Sequence, residues 1–422
     1  MRIKRLFKNE YLVSILTMVV NLAISMVYSM LIARYLGAEI KGMTAYIASV
    51  AAIGSKFLMF GLHQSYAFYR NQNDKIKDKY INHIYVIFLF YAVIALTLCL
   101  IWRGNVIIMA SIIMAVLGAY SGIIAYIYLI ENSVKRNISM VFIHLLQVTF
   151  VVILFLVAKP NIFWGITNLI FVDVVIAIMY TIKLKVKFSF RSIDLRFLFE
   201  IFRMGFIPMI TILVSGFNYK IDVLMLETFP NVTFAGIGVY SIGLMLADKV
   251  LLIPETLKGI LLSRLARGKE ADEVAKVMRM CLPVCFVMFG GIFLLGEKVI
   301  GWMYGPQYDG AYMITMITMF GVGAHMFYNM IEVYNIVHKK QKVTLIVASC
   351  SVVANIVING ILIPRYGITG AAVATLISYT GCAVALLSYF SWQTKIKFKN
   401  LVIINKKDIN EVLNMIGKKK DK

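Results

Sequence analysis

Residues 197–258 hold two long apolar runs separated by the short turn ETFPNVTF, and Lys220, Asp222, Asp248 and Lys249 sit inside those runs. A run of about 20 apolar residues crosses the hydrocarbon core of a bilayer as one helix, so this stretch is a membrane hairpin. A charge at that depth costs roughly 2.5–3.5 kcal/mol on insertion scales. Such groups are therefore aimed at a bundle interior or a wet cavity, and they mark pathways. Pro208 and Pro254 interrupt the same runs, and proline removes a ladder hydrogen bond and bends a helix. A kinked, charged hairpin in the middle of the chain predicts a polar chamber between two halves of a helical membrane protein.

The remainder of the chain agrees. Of its 422 residues 60% are hydrophobic, and the mean hydropathy is +0.82. That composition excludes a soluble domain and predicts an all-α polytopic membrane protein. Twelve spans are predicted, at 11–35, 42–62, 80–102, 105–130, 138–158, 162–183, 200–227, 234–257, 279–303, 311–336, 342–363 and 368–392. The connections alternate in charge, with 33 Lys and Arg on one side and 6 on the other. The positive-inside bias then places both termini in the cytoplasm. The net charge of +22 is thus a matter of topology and attraction to anionic lipid, with no nucleic-acid partner implied. The five cysteines all lie in apolar runs without disulfide or metal spacing, and Cys281 and Cys285, one turn apart, read as packing. The first apolar run is too long for a signal peptide and lacks a small-residue cleavage site, so it is expected to remain as the first span.

Three regions are expected: an N-terminal six-helix lobe at 1–190, a C-terminal six-helix lobe at 191–394, and a basic amphipathic cytoplasmic tail at 395–422. Residues 270–280 carry an apolar stripe (Val274, Val277, Met278) and read as an interfacial linker, and residues 401–416 read as a membrane-hugging amphipathic segment. The halves echo each other. A shift of 194 residues lays Thr17 on Thr211, Asn21 on Ser215, Gly42 on Gly236 and Tyr46 on Tyr240, and Gly165-Ile166-Thr167 recurs as Gly367-Ile368-Thr369. Six is an even number of spans, so the two lobes should be related by a pseudo-twofold along the membrane normal. Ser14, Thr17, Asn21, Ser25 and Tyr28 share one helix face in the first span, as do Thr211, Ser215, Asn218 and Asp222 in the seventh. The repeat predicts that these stripes face each other across a central cleft.

Three segments carry a family resemblance: ARYLGAEIKGMTAYIASV (33–50), GVYSIGLMLADKVLLIP (238–254) and NIVINGILIPRYGITGAAVATLISY (355–379). They are similar to the first hairpin, the eighth span and the last hairpin of polysaccharide flippases. The chain as a whole resembles the Wzx-type flippases of O-antigen and capsule repeat units, within the multidrug/oligosaccharidyl-lipid/polysaccharide exporter (MOP) superfamily. The resemblance implies a transporter, not an enzyme. It would carry undecaprenyl-pyrophosphate-linked oligosaccharide from the inner to the outer leaflet of a bacterial cytoplasmic membrane by alternating access. It also implies no cofactor and no metal. The implied partners are the lipid-linked oligosaccharide, membrane lipids, and a polysaccharide polymerase with its chain-length machinery.

A pyrophosphate crossing a low-dielectric slab needs fixed cations in a hydrated cavity. The candidates are Lys56, Arg203, Lys220 and Lys249, with Arg34 at the outer end of the first span and Asn21, Ser25 and Asn218 as polar wall. The alternative for the cations is snorkelling to the interface or a structural ion pair, and for Arg34 an interface anchor. Asp173, Asp222, Asp248 and Glu332 are candidates for ion coupling, and His325, Asn329 and Glu332 share a face of the tenth span. A helix-to-helix hydrogen-bond cluster explains that face equally well. The lone His144 reads as a packed, hydrogen-bonded core residue.

The membrane potential supplies an independent hint. Moving charge through it is worth about 2.3 kcal/mol per elementary charge per 100 mV, so an exported anionic lipid is driven outward from a negative interior by voltage alone. Three alternatives stay open: a drug or cation exporter of the same superfamily, a peptidoglycan-precursor flippase, and, from another class, a membrane polysaccharide polymerase. The lysines inside spans oppose the first. No outer connection exceeds about a dozen residues, which leaves the polymerase no domain to hold its substrate.

Overall fold

A computed structural model describes residues 10–73, 76–189, 193–266 and 271–403. In order, the helices are α1 (Glu10–Met59), α2 (Leu62–Gln72), α3 (Ile76–Ile101), α4 (Val106–Glu131), α5 (Ser133–Val157), α6 (Ile162–Leu184), α7 (Leu195–Thr228), α8 (Phe234–Asp248), α9 (Leu252–Ala266), α10 (Ala271–Tyr304), α11 (Ala311–Val337), α12 (Gln341–Thr394) and α13 (Phe398–Val402). The described residues contain no strand.

Ten stretches are long and apolar enough to cross a membrane. Two of the helices among them, α1 with 50 residues and α12 with 54, would each be about 75–80 Å if straight, more than twice the core of a bilayer. Each is broken at one glycine, Gly37 (φ 74°, ψ 167°) and Gly367 (φ 55°, ψ −133°), in conformations that a side chain disfavours. Counting each broken helix as two gives the twelve expected segments, and in α12 the arms fold back on each other, Asn355 donating to Ser378 Oγ across the break. At the second break Asn231 donates from Nδ2 to the carbonyls of Ile363 (2.9 Å) and Pro364 (3.3 Å). These acceptors are thereby satisfied where the ladder is interrupted.

The eighth crossing is itself interrupted. Helix α8 stops at Asp248, a 3₁₀ turn covers Lys249–Leu251, and α9 begins with Pro254 as its third residue. Pro208 and Pro283 instead lie inside unbroken helices. The stretch at 270–280, expected to be a separate interfacial linker, is the continuous start of α10 from residue 271. The reason is packing: Val274, Ala275 and Met278 are fully covered by protein. Of the basic tail, α13 is described, with Leu401 buried; the amphipathic segment beyond residue 403 lies outside the described residues.

The chain packs as two compact units, one of Met1–Glu227 with Thr233–Gly238 and one of Thr228–Val232 with Val239–Lys422. In the first, a core of Leu62, Tyr66, Tyr80, Ile84, Ile123 and Tyr180 joins α2, α3, α4 and α6. The connection into α7 is pinned to α3. Ser189 N donates to Asn82 Oδ1 (2.8 Å), Asp194 N to His83 Nε2 (2.9 Å), and Lys79 pairs with Asp194 at 3.0 Å. Asp194 in turn accepts from the amides of Arg196 and Phe197, capping α7 where its backbone donors are unsatisfied.

In the second unit the two arms of α12 are joined by a buried polar ladder. Asn359 donates to Asn355 Oδ1 (2.8 Å), Asn355 to Ser378 Oγ (3.0 Å), and Tyr240 meets Thr375 at 3.2 Å. Interhelical hydrogen bonds of this kind hold helices together where lipid offers no hydrophobic contrast. The α12 residues of this ladder belong to the last of the three family-like segments, which gives that segment a packing role.

Candidate functional site

In the first unit the second arm of α1 is gripped at both ends by backbone-to-backbone approaches. A Cβ on Gly42 would lie 1.7 Å from the Phe234 carbonyl oxygen, and one on Gly238 would lie 2.1 Å from that of Ala38. At the other end, a Cβ on Gly205 would lie 2.1 Å from the Phe60 oxygen, and one on Gly61, where φ is 67°, would lie 2.3 Å from the Gly205 oxygen. Small residues that allow such closeness are the usual means of helix association in lipid. Between these contacts Lys56 of the arm meets α7, and Lys41 and Lys220 belong to the same unit.

Lys56 lies across α7 at Gly216, which is buried; a Cβ there would meet Lys56 Cδ at 2.7 Å and Nζ at 3.1 Å. The missing side chain is therefore the space the lysine stem occupies. Lys220, one turn further along α7, shares the face of Gly216. Lys56 and Lys41 each lie within electrostatic range of Lys220. All three are half-buried. Nearer the start of the arm Tyr46 faces the Glu227 carboxylate. Lys56 and Lys220 are like charges facing one stretch of α7, and an anion beside them would relieve their repulsion.

The other expected residues distribute as follows. Asn218 and Asp222 are buried on α7, at 2% and 1% exposure, and engaged with the protein. Arg203 and Arg34 are exposed, as is Asp248, and Lys249 is half-buried in the 3₁₀ turn. The polar stripe of the first span is used for bundling. Asn21 Oδ1 meets His144 Nδ1 at 2.9 Å, Asn168 donates to the Tyr28 hydroxyl at 2.6 Å, and Ser25 donates to its own helix at the Leu22 carbonyl. Asp173 accepts from Ser121 at 2.6 Å, joining α6 to α4.

In the second unit Lys258 of α9 reaches α11. Its Nζ lies 2.5 Å from Glu332 Oε2 and 3.4 Å from Asn329 Oδ1. His325, one turn before Asn329, is sandwiched between the rings of Tyr328 (4.6 Å) and Tyr379 (4.7 Å).

Lys41 and Lys258 are not among the sequence candidates: the expected spans leave Lys41 in the connection before the second span at 42–62 and Lys258 just past the eighth at 234–257. A signal existed for Lys41: the stretch RYLGAEIKG contains one glycine before it and no loop, so Lys41 falls in the first turns of a helix. For Lys258 there was none, because its place depends on how α9 restarts after Asp248.

The sequence matches no protein-family model and no curated protein. Solved structures do match. Lipid II flippase MurJ in an inward closed conformation superposes with a TM-score of 0.67 at 15% identity, over 92% of this chain and 89% of that one. An inward-facing MATE-family multidrug resistance transporter of the MOP superfamily gives 0.65 at 13% identity, over 91% of this chain and 98% of that one. A MOP-superfamily transporter from Pyrococcus furiosus, described as having a binding pocket of reversed polarity, gives 0.58 at 11% identity, over 93% and 97%. The chain has the fold of the MOP-superfamily transporters.

Proposed function

We propose that this protein is a flippase for undecaprenyl-pyrophosphate-linked oligosaccharide, moving repeat units from the inner to the outer leaflet of a bacterial cytoplasmic membrane by alternating access during surface-polysaccharide synthesis. The observation that carries the reading is Lys56 laid across α7 at Gly216, one turn from Lys220, inside a largely apolar bundle. A drug cation would be repelled by that pair. A pyrophosphate carries the opposite charge and needs several donors, and lysine is a common phosphate binder acting as a point charge. The polyprenyl tail stays in lipid, so only the head group has to be compensated.

Complementation tests the assignment. In a strain lacking the gene, Lys56→Ala and Lys220→Ala should each abolish surface polymer while lipid-linked units accumulate inside. Normal polymer from a well-expressed double variant would reject the phosphate role. A second reading, a flippase for the peptidoglycan precursor, is favoured by the likeness in fold to a lipid II flippase and differs in the sugar. Rescue of a strain depleted of its own precursor flippase would select it.

A further inference from the structure

We propose that the second unit contains a monovalent-cation site filled from within by the Lys258 ammonium, so that this unit needs no free coupling ion. The inference is independent of the sugar and of the lipid the protein carries. It starts from the donor set. Asn329 and Glu332 are three residues apart on α11 and share a face, presenting an amide carbonyl and a carboxylate in one direction. These are hard oxygen ligands, the kind that hard cations take. The cation found there belongs to a side chain: Lys258 Nζ stands 2.5 Å from Glu332 Oε2 and 3.4 Å from Asn329 Oδ1.

Two observations favour a cation site over a fortuitous pair. The Asn329 amide is 4% exposed, and its Nδ2 finds no acceptor among the described residues. Its carbonyl is thus turned toward the ammonium while the NH₂ goes unsatisfied, which is the more costly orientation unless a positive charge is there to be solvated. The second observation is the setting. Glu332 is 19% exposed, and the ring stack of Tyr328, His325 and Tyr379 lies one turn before Asn329 along α11.

Charge balance gives the consequence. With Lys258 in place the site is neutral, and a sodium ion would add a like charge beside the ammonium. Without it, a carboxylate and a carbonyl remain with one negative charge and an open position. A tethered cation cannot dissociate and be carried across the membrane. It can only be withdrawn, by swinging of its own stem or by movement of α9, the helix that restarts after the 3₁₀ turn at Lys249–Leu251.

The test uses the purified full-length protein in lipid nanodiscs, with Tm measured in sodium, lithium or choline chloride at equal ionic strength. The wild type should show the same Tm in sodium and choline. Lys258→Met should melt lower in choline and regain at least about 2 °C in sodium or lithium, because a bound ion stabilises by mass action. The double variant Lys258→Met, Glu332→Gln should lose that response. A wild type selectively stabilised by sodium, or a Lys258→Met protein indifferent to the ion, overturns the proposal. So does a Lys258→Met protein that folds in none of the salts while the double variant folds, since the pair would then be structural only.

Discussion

Gly216→Ala separates the position of a charge from the stability of the fold. The new Cβ would lie 2.7 Å from Lys56 Cδ, where ordinary contact begins near 3.4 Å. The Lys56 stem must therefore retreat by about 0.7 Å, which a flexible side chain can do. Helix α7 itself gains about 0.5–1 kcal/mol, because alanine is less costly than glycine inside a helix. The charge moves away from its ligand. At an effective dielectric near 20, a unit pair at about 4 Å is worth about 4.2 kcal/mol and at about 4.7 Å about 3.5 kcal/mol. A loss of about 0.6 kcal/mol weakens binding about threefold.

The assay is binding of a short-chain polyprenyl pyrophosphate to purified protein, with Tm measured alongside. Weaker binding with unchanged or higher Tm is expected. Gly42→Ala supplies the contrast, because its Cβ would meet the Phe234 backbone oxygen at 1.7 Å and no rotamer relieves that. Overpacking of this kind costs on the order of 1–3 kcal/mol or more and should lower Tm. Unaltered binding by Gly216→Ala, while Lys56→Ala also binds normally, would refute the placement of Lys56 at the phosphate.

The remaining predictions are more local. Gly367→Ala should destabilise by about 1–3 kcal/mol, since φ 55° with ψ −133° is a region side chains reject; a thermal shift within error would contradict the loop-free hairpin. Lys79 holds the Asp194 carboxyl below the usual carboxylate range, chiefly by its hydrogen bond and further by the Phe197 amide. A depressed pKa contributes stability that is complete above the ordinary carboxylate value and is lost as pH falls through the depressed one. The Tm gap between wild type and Asp194→Asn should accordingly close on acidification, and a gap independent of pH would exclude the effect. Outward flipping in liposomes should follow an imposed voltage. Flipping at full rate with voltage clamped at zero and only a pH gradient present would count against a voltage-driven step.

The twelve crossings are legible in the amino-acid order, down to a few residues at each edge, because hydropathy is a sum over one helix and needs no partner. The same holds for the charge asymmetry of the connections and for Lys56 and Lys220 as ionisable groups at depth. The sequence also shows that His325, Asn329 and Glu332 share a face. It does not show that Lys258 answers that face. The polar stripe of the first span illustrates the same limit. Its spacing is plain, yet its direction is settled by His144 and Asn168 on two other helices.

Periodicity tells which residues of one helix look the same way; it leaves open the rotation of that helix about its axis and the neighbour it meets. Those are decided by contacts distant in the chain: Gly42 against Phe234, Gly61 against Gly205, and the lysine stem in the space above Gly216. Lys41 falls within a helix because a single glycine, Gly37, turns one helix into two. Composition and local pattern make this chain a polytopic bundle with cations inside it. Close backbone packing, which depends on where glycines of separate helices meet, lays Lys56 across α7, and the restart of α9 after its 3₁₀ turn brings Lys258 to Glu332.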